Sequence, residues 1–176
     1  EMIIGPEFEF HLFDSVSYEV GSRSMRYSVD TREAEWNAGA SSPENKGYQI
    51  AQKGGYHIDV PKDVTHDLRS RMCILLNKCD VPVKYHHREV SGSGQVEIEV
   101  ELGKMSTMAD RTMMVKYIVK NCAAAEGKTA TFMPKPIYLE AGNGMHVHML
   151  LMKDGRPLFY DPEGYSGLSR TAHYFI

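Results

Sequence analysis

The residues best placed for chemistry lie in the stretch 85–100. His87 and Glu89 share one face of an extended arm, and Gln95, Glu97 and Glu99 share one face of the next. Ser91-Gly92-Ser93-Gly94 separates the arms as a turn cluster, which predicts a β-hairpin. Glu89 and Glu97 are symmetric about Ser93. A loop with an odd number of residues is therefore expected to set them opposite each other, with Cβ atoms about 5 Å apart. Facing carboxylates repel unless a cation or a neutral group intervenes. For one hairpin alone, a plain solvated face is the ordinary alternative.

Two further stretches repeat the design. In residues 2–13, Phe8, Phe10 and Leu12 face one way and Glu7, Glu9 and His11 the other. That pattern alone fits an edge or one-sided strand. In residues 145–152, His146 and His148 share a face opposite Val147 and Met149. Three strands with an apolar back and a carboxylate and imidazole front argue against the solvated alternative. Such an oxygen-rich set suits Mg2+ or Mn2+ and is poor in the thiolates that favour zinc. Mg2+ held by a few carboxylates usually completes its shell with phosphate oxygens. The residue types thus point to nucleotide-dependent phosphoryl transfer or metal-assisted hydrolysis. No Gly-x4-Gly-Lys-Ser/Thr loop is present, so a bound nucleotide is expected along the sheet.

These faces need elements to position them. Leu68, Met72, Leu75, Leu76 and Cys79 recur at helical spacing over 63–77, with Asp63 or Thr65 as N-cap. His66 and Arg69 fall off that stripe and are expected in solvent. Met114, Tyr117, Ile118, Cys122 and Ala125 predict the buried stripe of a second helix, 106–126, closed by Gly127. Residues 16–29 read as a short hairpin around Gly21-Ser22-Arg23-Ser24, and 128–133 as a strand stopped by Pro134-Lys135-Pro136. Lys135 there either aims a charge at an anion or sits in solvent. Gly54-Gly55, before Tyr56, allows positive φ or a close backbone approach, or is a plain turn. Residues 140–144 read as a turn. Asp154-Gly155 suits a tight hairpin, with 157–160 as the return arm, and 167–176 reads as a helix. The expected fold is α+β: a curved, largely antiparallel sheet with helices on its apolar face.

Composition sets limits. The chain has 176 residues, 42% hydrophobic and 24% charged, which suits one globular domain with a sizeable core. A net charge of −3 gives no footprint for nucleic acid. No apolar run reaches membrane-spanning length. The three cysteines lack zinc-ligand spacing and fit reduced thiols in a cytoplasmic protein.

Five motifs, in order, resemble type I glutamine synthetase. They are Gly5-Pro6-Glu7-Phe8-Glu9-Phe10; Lys53-Gly54-Gly55-Tyr56; His86-His87-Arg88-Glu89 with Gly94-Gln95-Val96-Glu97; residues 128–136; and Gly142-Asn143-Gly144-Met145-His146-Val147-His148. The resemblance runs from end to end of the chain. It covers the front part of the family's catalytic domain, so residues 1–176 are expected to be a single partial catalytic domain. The family's N-terminal β-grasp domain and the C-terminal part of its catalytic domain lie outside it.

The resemblance implies an activity. ATP phosphorylates the side-chain carboxylate of glutamate, and ammonia displaces phosphate to give glutamine, with two or more Mg2+ or Mn2+ ions. It implies that Glu9, Glu89 and Glu97 hold one metal, with Glu9 also near glutamate, and that Glu7 and His146 hold another. Glu89 and Tyr56 would help form the ammonium pocket, His87 would lie near the transferred phosphoryl group, His148 would contact nucleotide and Gly142 glutamate. It further implies a homo-oligomeric ring, a dodecamer, with active sites between subunits. The chain departs from the family pattern at Ala141, where asparagine is common, at Leu150, where serine is common, and at Lys84, where an acidic residue is common. Ala141 keeps open a γ-glutamyl ligase acting on an amine or polyamine. A catalytically silent relative is the third alternative.

Overall fold

The computed structural model describes residues 1–176. Its centre is β1 (Met2–Phe13), a twelve-residue strand. Phe8, Phe10 and Leu12 are buried on one face, as their alternation predicts. The strand is neither an edge nor one-sided, however, because both its edges are paired and His11 is buried as well. β5 (Gln95–Val100) and β6 (Gly103–Lys104) pair along one edge, and β7 (Thr129–Thr131) and β8 (Val147–Lys153) along the other, all antiparallel. β4 (Val83–Arg88) extends the sheet beyond β5, and β9 (Arg156–Pro157) extends it beyond β8. β7 covers His11 to Phe13 and β8 covers Met2 to Pro6. The stretch of β1 between them is filled by the loop that connects β7 to β8, whose His146 carbonyl accepts from the Glu7 N–H. That gap is where the polar residues gather.

The exposed hairpin β2 (Ser15–Val20) and β3 (Met25–Asp30) forms as expected and stands apart from the main sheet. The β8–β9 turn places Asp154 and Gly155 at positive φ, as a tight two-residue hairpin requires. Its return arm is only two residues long, shorter than expected.

α1 (His66–Lys78) and α2 (Met105–Ala125) pack on each other and on the apolar face of the sheet. The fold is therefore α+β, with the helices where the pattern puts them. Each buried stripe differs from expectation in detail. In α1 it is Leu68, Met72, Cys73 and Leu76, and Leu75 is exposed. In α2 it is Met108, Val115, Ile118, Val119 and Ala123, and Met114 and Tyr117 are exposed. A helix rich in Met and Tyr carries apolar residues on more than one side, so period alone leaves its rotation loosely fixed. Gly127 closes α2 at φ 68°.

Arg69 is the clearest reversal. It is buried, not solvated, and forks onto Asp63 with Nη1–Oδ1 3.0 Å and Nη2–Oδ2 2.6 Å. Its Nη1 also donates to Thr65 Oγ1, and its Nε to His86 Nδ1. Asp63 and Thr65 thus hold an arginine instead of capping the helix with a side chain. The C-terminal helix α3 spans only Arg170–His173, with Ser169 Oγ capping Ala172 N–H. No helix is long and apolar enough to cross a membrane.

Candidate metal centre

The register of β1 against β5 sets Glu7 opposite Glu99 and Glu9 opposite Glu97. Four carboxylates therefore stand in two facing pairs on one side of the sheet, because side chains alternate with period two. β4 sets His87 opposite Glu97. Glu89 does not face Glu97 as the symmetry about Ser93 predicts. The ladder runs one step further, with Glu89 N–H donating to Gln95 O, which leaves residues 90–94 as the loop. Glu89 keeps the same face but lies diagonally from Glu97.

Two clusters result. His87, Glu89 and Glu97 offer ligand atoms within 4.8 Å of one another, and so do Glu7, Glu99 and His148. In the first, His87 Nε2 lies 3.5 Å from Glu97 Oε2 and Nδ1 lies 3.6 Å from Glu89 Oε1. The Arg88 carbonyl, 2.9 Å from His87 Nδ1, can only accept, so Nδ1 carries the proton. In the second, Glu7 takes both histidines of the β8 stretch, His146 Nδ1 at 3.0 Å and His148 Nε2 at 2.6 Å. Glu9 bridges towards the loop: its Oε2 accepts from Gln95 Nε2 at 2.8 Å and from Gly144 N–H at 3.1 Å. A side chain at Gly144 would come within 3.1 Å of Glu9 Oε1 and 3.9 Å of His146 Nε2, so glycine keeps those two atoms accessible.

The rest of the expected site surrounds these clusters. Tyr56 is exposed and stands edge-on to His87, with ring centres 5.8 Å apart, and His57 stacks on His87 at 4.6 Å. Gly55 supplies the close approach: a Cβ there would lie 2.4 Å from Glu89 O. Gly142 makes the same kind of contact, since a Cβ would lie 2.3 Å from Pro134 O. Lys135 is exposed, as one of its two expected placements had it, and its Nζ donates to the Glu140 carbonyl, not to an anion. Glu140 in turn is buried, accepting from Lys53 N–H and Ser93 Oγ.

The electrostatics show what the face lacks. Burial pushes the Glu97 carboxyl up to about 8, helped by its hydrogen bond with Glu89 and by the charges of Glu89, Glu7 and Glu9. Burial likewise raises Glu9; the Gly144 N–H opposes this, and the charges of Glu89 and Glu7 add to it. Burial also acts upward on Glu7, but the hydrogen bonds from His148 and His146 outweigh it and hold the carboxyl below its usual range. Lys84, 2.7 Å from Glu99 Oε1, is the ammonium paired to this set, and Glu99 Oε2 is buried with no partner. A carboxylate such as Glu97, kept from ionising by burial and by its carboxylate neighbours, is suited to a divalent cation, which displaces the proton. The donor set of oxygens and imidazoles fits Mg2+ or Mn2+.

Sequence reasoning passed over Glu99, Gln95 and Asn143 as site residues. Glu99 and Gln95 share the face of Glu97 by simple alternation, a signal that could have found them. Asn143, which accepts from His11 Nδ1 at 2.9 Å, carried no such signal.

Fold and site together define a class: an α+β domain whose antiparallel sheet presents a carboxylate and imidazole face whose donor set suits divalent cations. The comparisons narrow this to a family. The family model described as glutamine synthetase, catalytic domain, matches residues 1–176, and the chain belongs to that family. It is 46% identical over 172 residues to a glutamine synthetase of Streptomyces filamentosus, covering 98% of this chain and 36% of the relative. It is 45% identical to that of Pasteurella multocida, covering 100% of this chain and 37% of the relative. A cryo-EM structure of Plasmodium falciparum glutamine synthetase superposes with a TM-score of 0.87 at 32% identity, covering 99% of this chain and 34% of that one. The chain thus spans about a third of the length of the relatives it matches.

Proposed function

We propose that the full-length protein is an ATP-dependent glutamate–ammonia ligase. The observation that carries this is the facing of Glu7 with Glu99 and of Glu9 with Glu97, beside His87, Glu89, His146 and His148 on one sheet face. Family membership supplies the reaction class. The γ-carboxylate oxygen of glutamate attacks the terminal phosphorus of ATP and ADP leaves. Ammonium gives up a proton, ammonia attacks the acyl carbon, and inorganic phosphate leaves with the C–O bond electrons.

In this reading Glu9, Glu89 and Glu97 hold one divalent cation, and Glu7 and His146 a second. Divalent cations held there would supply positive charge to the phosphoryl oxygens. The chain's own groups do the rest. His87, with its Nδ1 proton committed to the Arg88 carbonyl, presents Nε2 to the transferred group. Glu89 and the exposed Tyr56 attract ammonium and help it lose the proton, since only the neutral amine is a nucleophile. Gly142 bounds the glutamate subsite through its backbone, and His148 contacts nucleotide.

Residues 1–176 are read as the front of a longer catalytic domain in a homo-oligomeric ring, with a neighbouring subunit closing the open side of Tyr56. Free thiols at Cys73, Cys79 and Cys122 agree with a cytoplasmic setting. The test is phosphate release by the full-length protein with ATP, glutamate and Mg2+. Ammonium is expected to support turnover and Glu89→Gln to abolish it. Faster turnover with putrescine than with ammonium at matched concentration overturns the reading in favour of an amine ligase.

A further inference from the structure

Gln95 is a fully buried amide at the meeting point of three parts of the site. Its Nε2 donates to Glu9 Oε2 at 2.8 Å and to Gly142 O at 2.8 Å, and lies 3.3 Å from Asn143 Oδ1. Its Oε1 accepts from Ser91 N–H at 2.9 Å, in the hairpin loop that follows Glu89. One side chain therefore ties the β1 carboxylate, the 142–144 loop and the β4–β5 turn together.

The chemistry of each contact is specific. An amide NH2 has two protons, and both strong acceptors, Glu9 Oε2 and Gly142 O, take one. Gly144 N–H also donates to Glu9 Oε2. Both protein donors thus fall on one oxygen of Glu9, and Oε1 is left facing the space beside Gly144 and His146 Nε2. The loop cannot carry this arrangement alone. Its neighbour Asn143 spends its own NH2 on Met133 O and Thr131 O and receives His11 on its Oδ1.

We infer that Gln95 is a positioning residue: it fixes Glu9 with a single free oxygen and sets the Gly142 loop at the same time, coupling the cation subsite to the glutamate subsite. The inference rests on the proposed function for the identity of those two subsites. Outer-sphere partners of this kind change metal affinity by about 10- to 100-fold when removed. Neither Gln95 nor its bonding is needed for the apolar core, which lies on the other face of β5 with Val96, Ile98 and Val100.

The test is Mn2+ binding to the full-length protein, measured by electron paramagnetic resonance without nucleotide or glutamate, for wild type, Gln95→Met, Glu9→Gln and the double variant. Methionine keeps length and removes the donors. Gln95→Met is expected to weaken the affected class of Mn2+ site about 10-fold and to raise the glutamate KM more than it lowers kcat. If Gln95 acts through Glu9, its effect on Mn2+ disappears in the Glu9→Gln background. Gln95→Asn, which keeps an amide one methylene short of its acceptors, serves if the methionine variant does not fold, with the same expectation. A merely structural Gln95 lowers the melting temperature, leaves Mn2+ affinity within about 2-fold and adds independently to Glu9→Gln; that result overturns the inference and leaves the proposed function standing. Unchanged Mn2+ binding in Glu9→Gln alone overturns the assignment of Glu9 and the inference with it.

Discussion

Two sets of buried carboxylates lie within this one domain, and they differ in whether an arginine partners them. Behind the sheet, Asp63 is forked by Arg69, and Glu33 meets Arg88 at 2.5 Å, although burial still outweighs that arginine and raises the Glu33 carboxyl. Burial acts upward on Asp63, but the Arg69 guanidinium outweighs it and holds the carboxyl below its usual range. On the front, Glu9, Glu89 and Glu97 have no arginine. They face histidine, an amide and one another, and Glu97 keeps its proton up to about pH 8. The same residue types therefore do different work according to whether the chain supplies the counter-charge. Where it does, the pair fixes an element, as Asp63 and Arg69 fix the start of α1 against His86. Where it does not, burial and neighbouring carboxylates raise Glu97 and Glu9, and the oxygen-rich donor set suits a divalent cation.

The largest expected effect attacks the paired set. Arg69→Met leaves Asp63 buried without its cation and strips a partner from His86 and Thr65. Breaking a buried pair from one side costs about 3–5 kcal/mol, read as a lower urea midpoint. Adding Asp63→Asn to Arg69→Met should recover part of that loss. If Arg69→Met costs no more than a surface change, the paired set does not hold the fold and the contrast fails.

The unpaired set should respond with the opposite sign. Without divalent cations, Glu97→Gln removes a carboxyl whose neighbours resist its ionisation, so stability at pH 8 should rise by about 1–2 kcal/mol. The same substitution should remove most of the stabilisation that saturating Mn2+ gives the wild type, a linkage effect of binding to the folded state. A thermal melt with and without Mn2+ reads both. A loss of stability in the metal-free variant would show Glu97 to be a satisfied structural residue.

Acid separates the two sets as well. Asp63 has a lowered folded pKa, so the folded state binds fewer protons than the unfolded chain as pH falls. Its contribution is fully present above the unfolded value of about 3.9 and is lost as pH drops through the folded value. Asp63→Asn should flatten that acid limb of the stability curve while leaving the curve near neutrality shifted but parallel. A variant with the wild-type acid limb would place the transition elsewhere.

The smallest effect concerns Lys84, the lysine paired with the front set through Glu99. Its side chain is 49% exposed, and such pairs contribute about 0–1 kcal/mol. Lys84→Ala should change stability by less than about 1 kcal/mol and should not abolish Mn2+ binding. A large loss would mean that the front face is neutralised by the chain after all.

Much of this contrast could be read from the sequence, and the limits have physical causes. Period-two alternation reports which face a strand residue takes, so Glu7, Glu9, Glu97 and His148 fell on the polar face without knowledge of register. Register is another matter: it depends on which loop residue closes the turn. The extra bond from Glu89 N–H to Gln95 O moved Glu89 off its expected partner and put His87 there. Arg69 was misplaced because its period puts it beside the apolar stripe, and only tertiary contact with Asp63 explains an arginine there. The clamp of Gln95 on Glu9 and Gly142 joins residues far apart in the chain, for which a single sequence carries no signal.

The central claim is that the front carboxylates are assembled for divalent cations. A Mn2+ titration of the full-length protein near pH 7.5, followed by electron paramagnetic resonance, tests it most directly. Two classes of saturable site are expected, with Glu97→Gln removing one and His146→Ala weakening the other while the protein stays folded by circular dichroism. Binding that never saturates, or that Glu97→Gln and His146→Ala leave as in the wild type, would contradict the account.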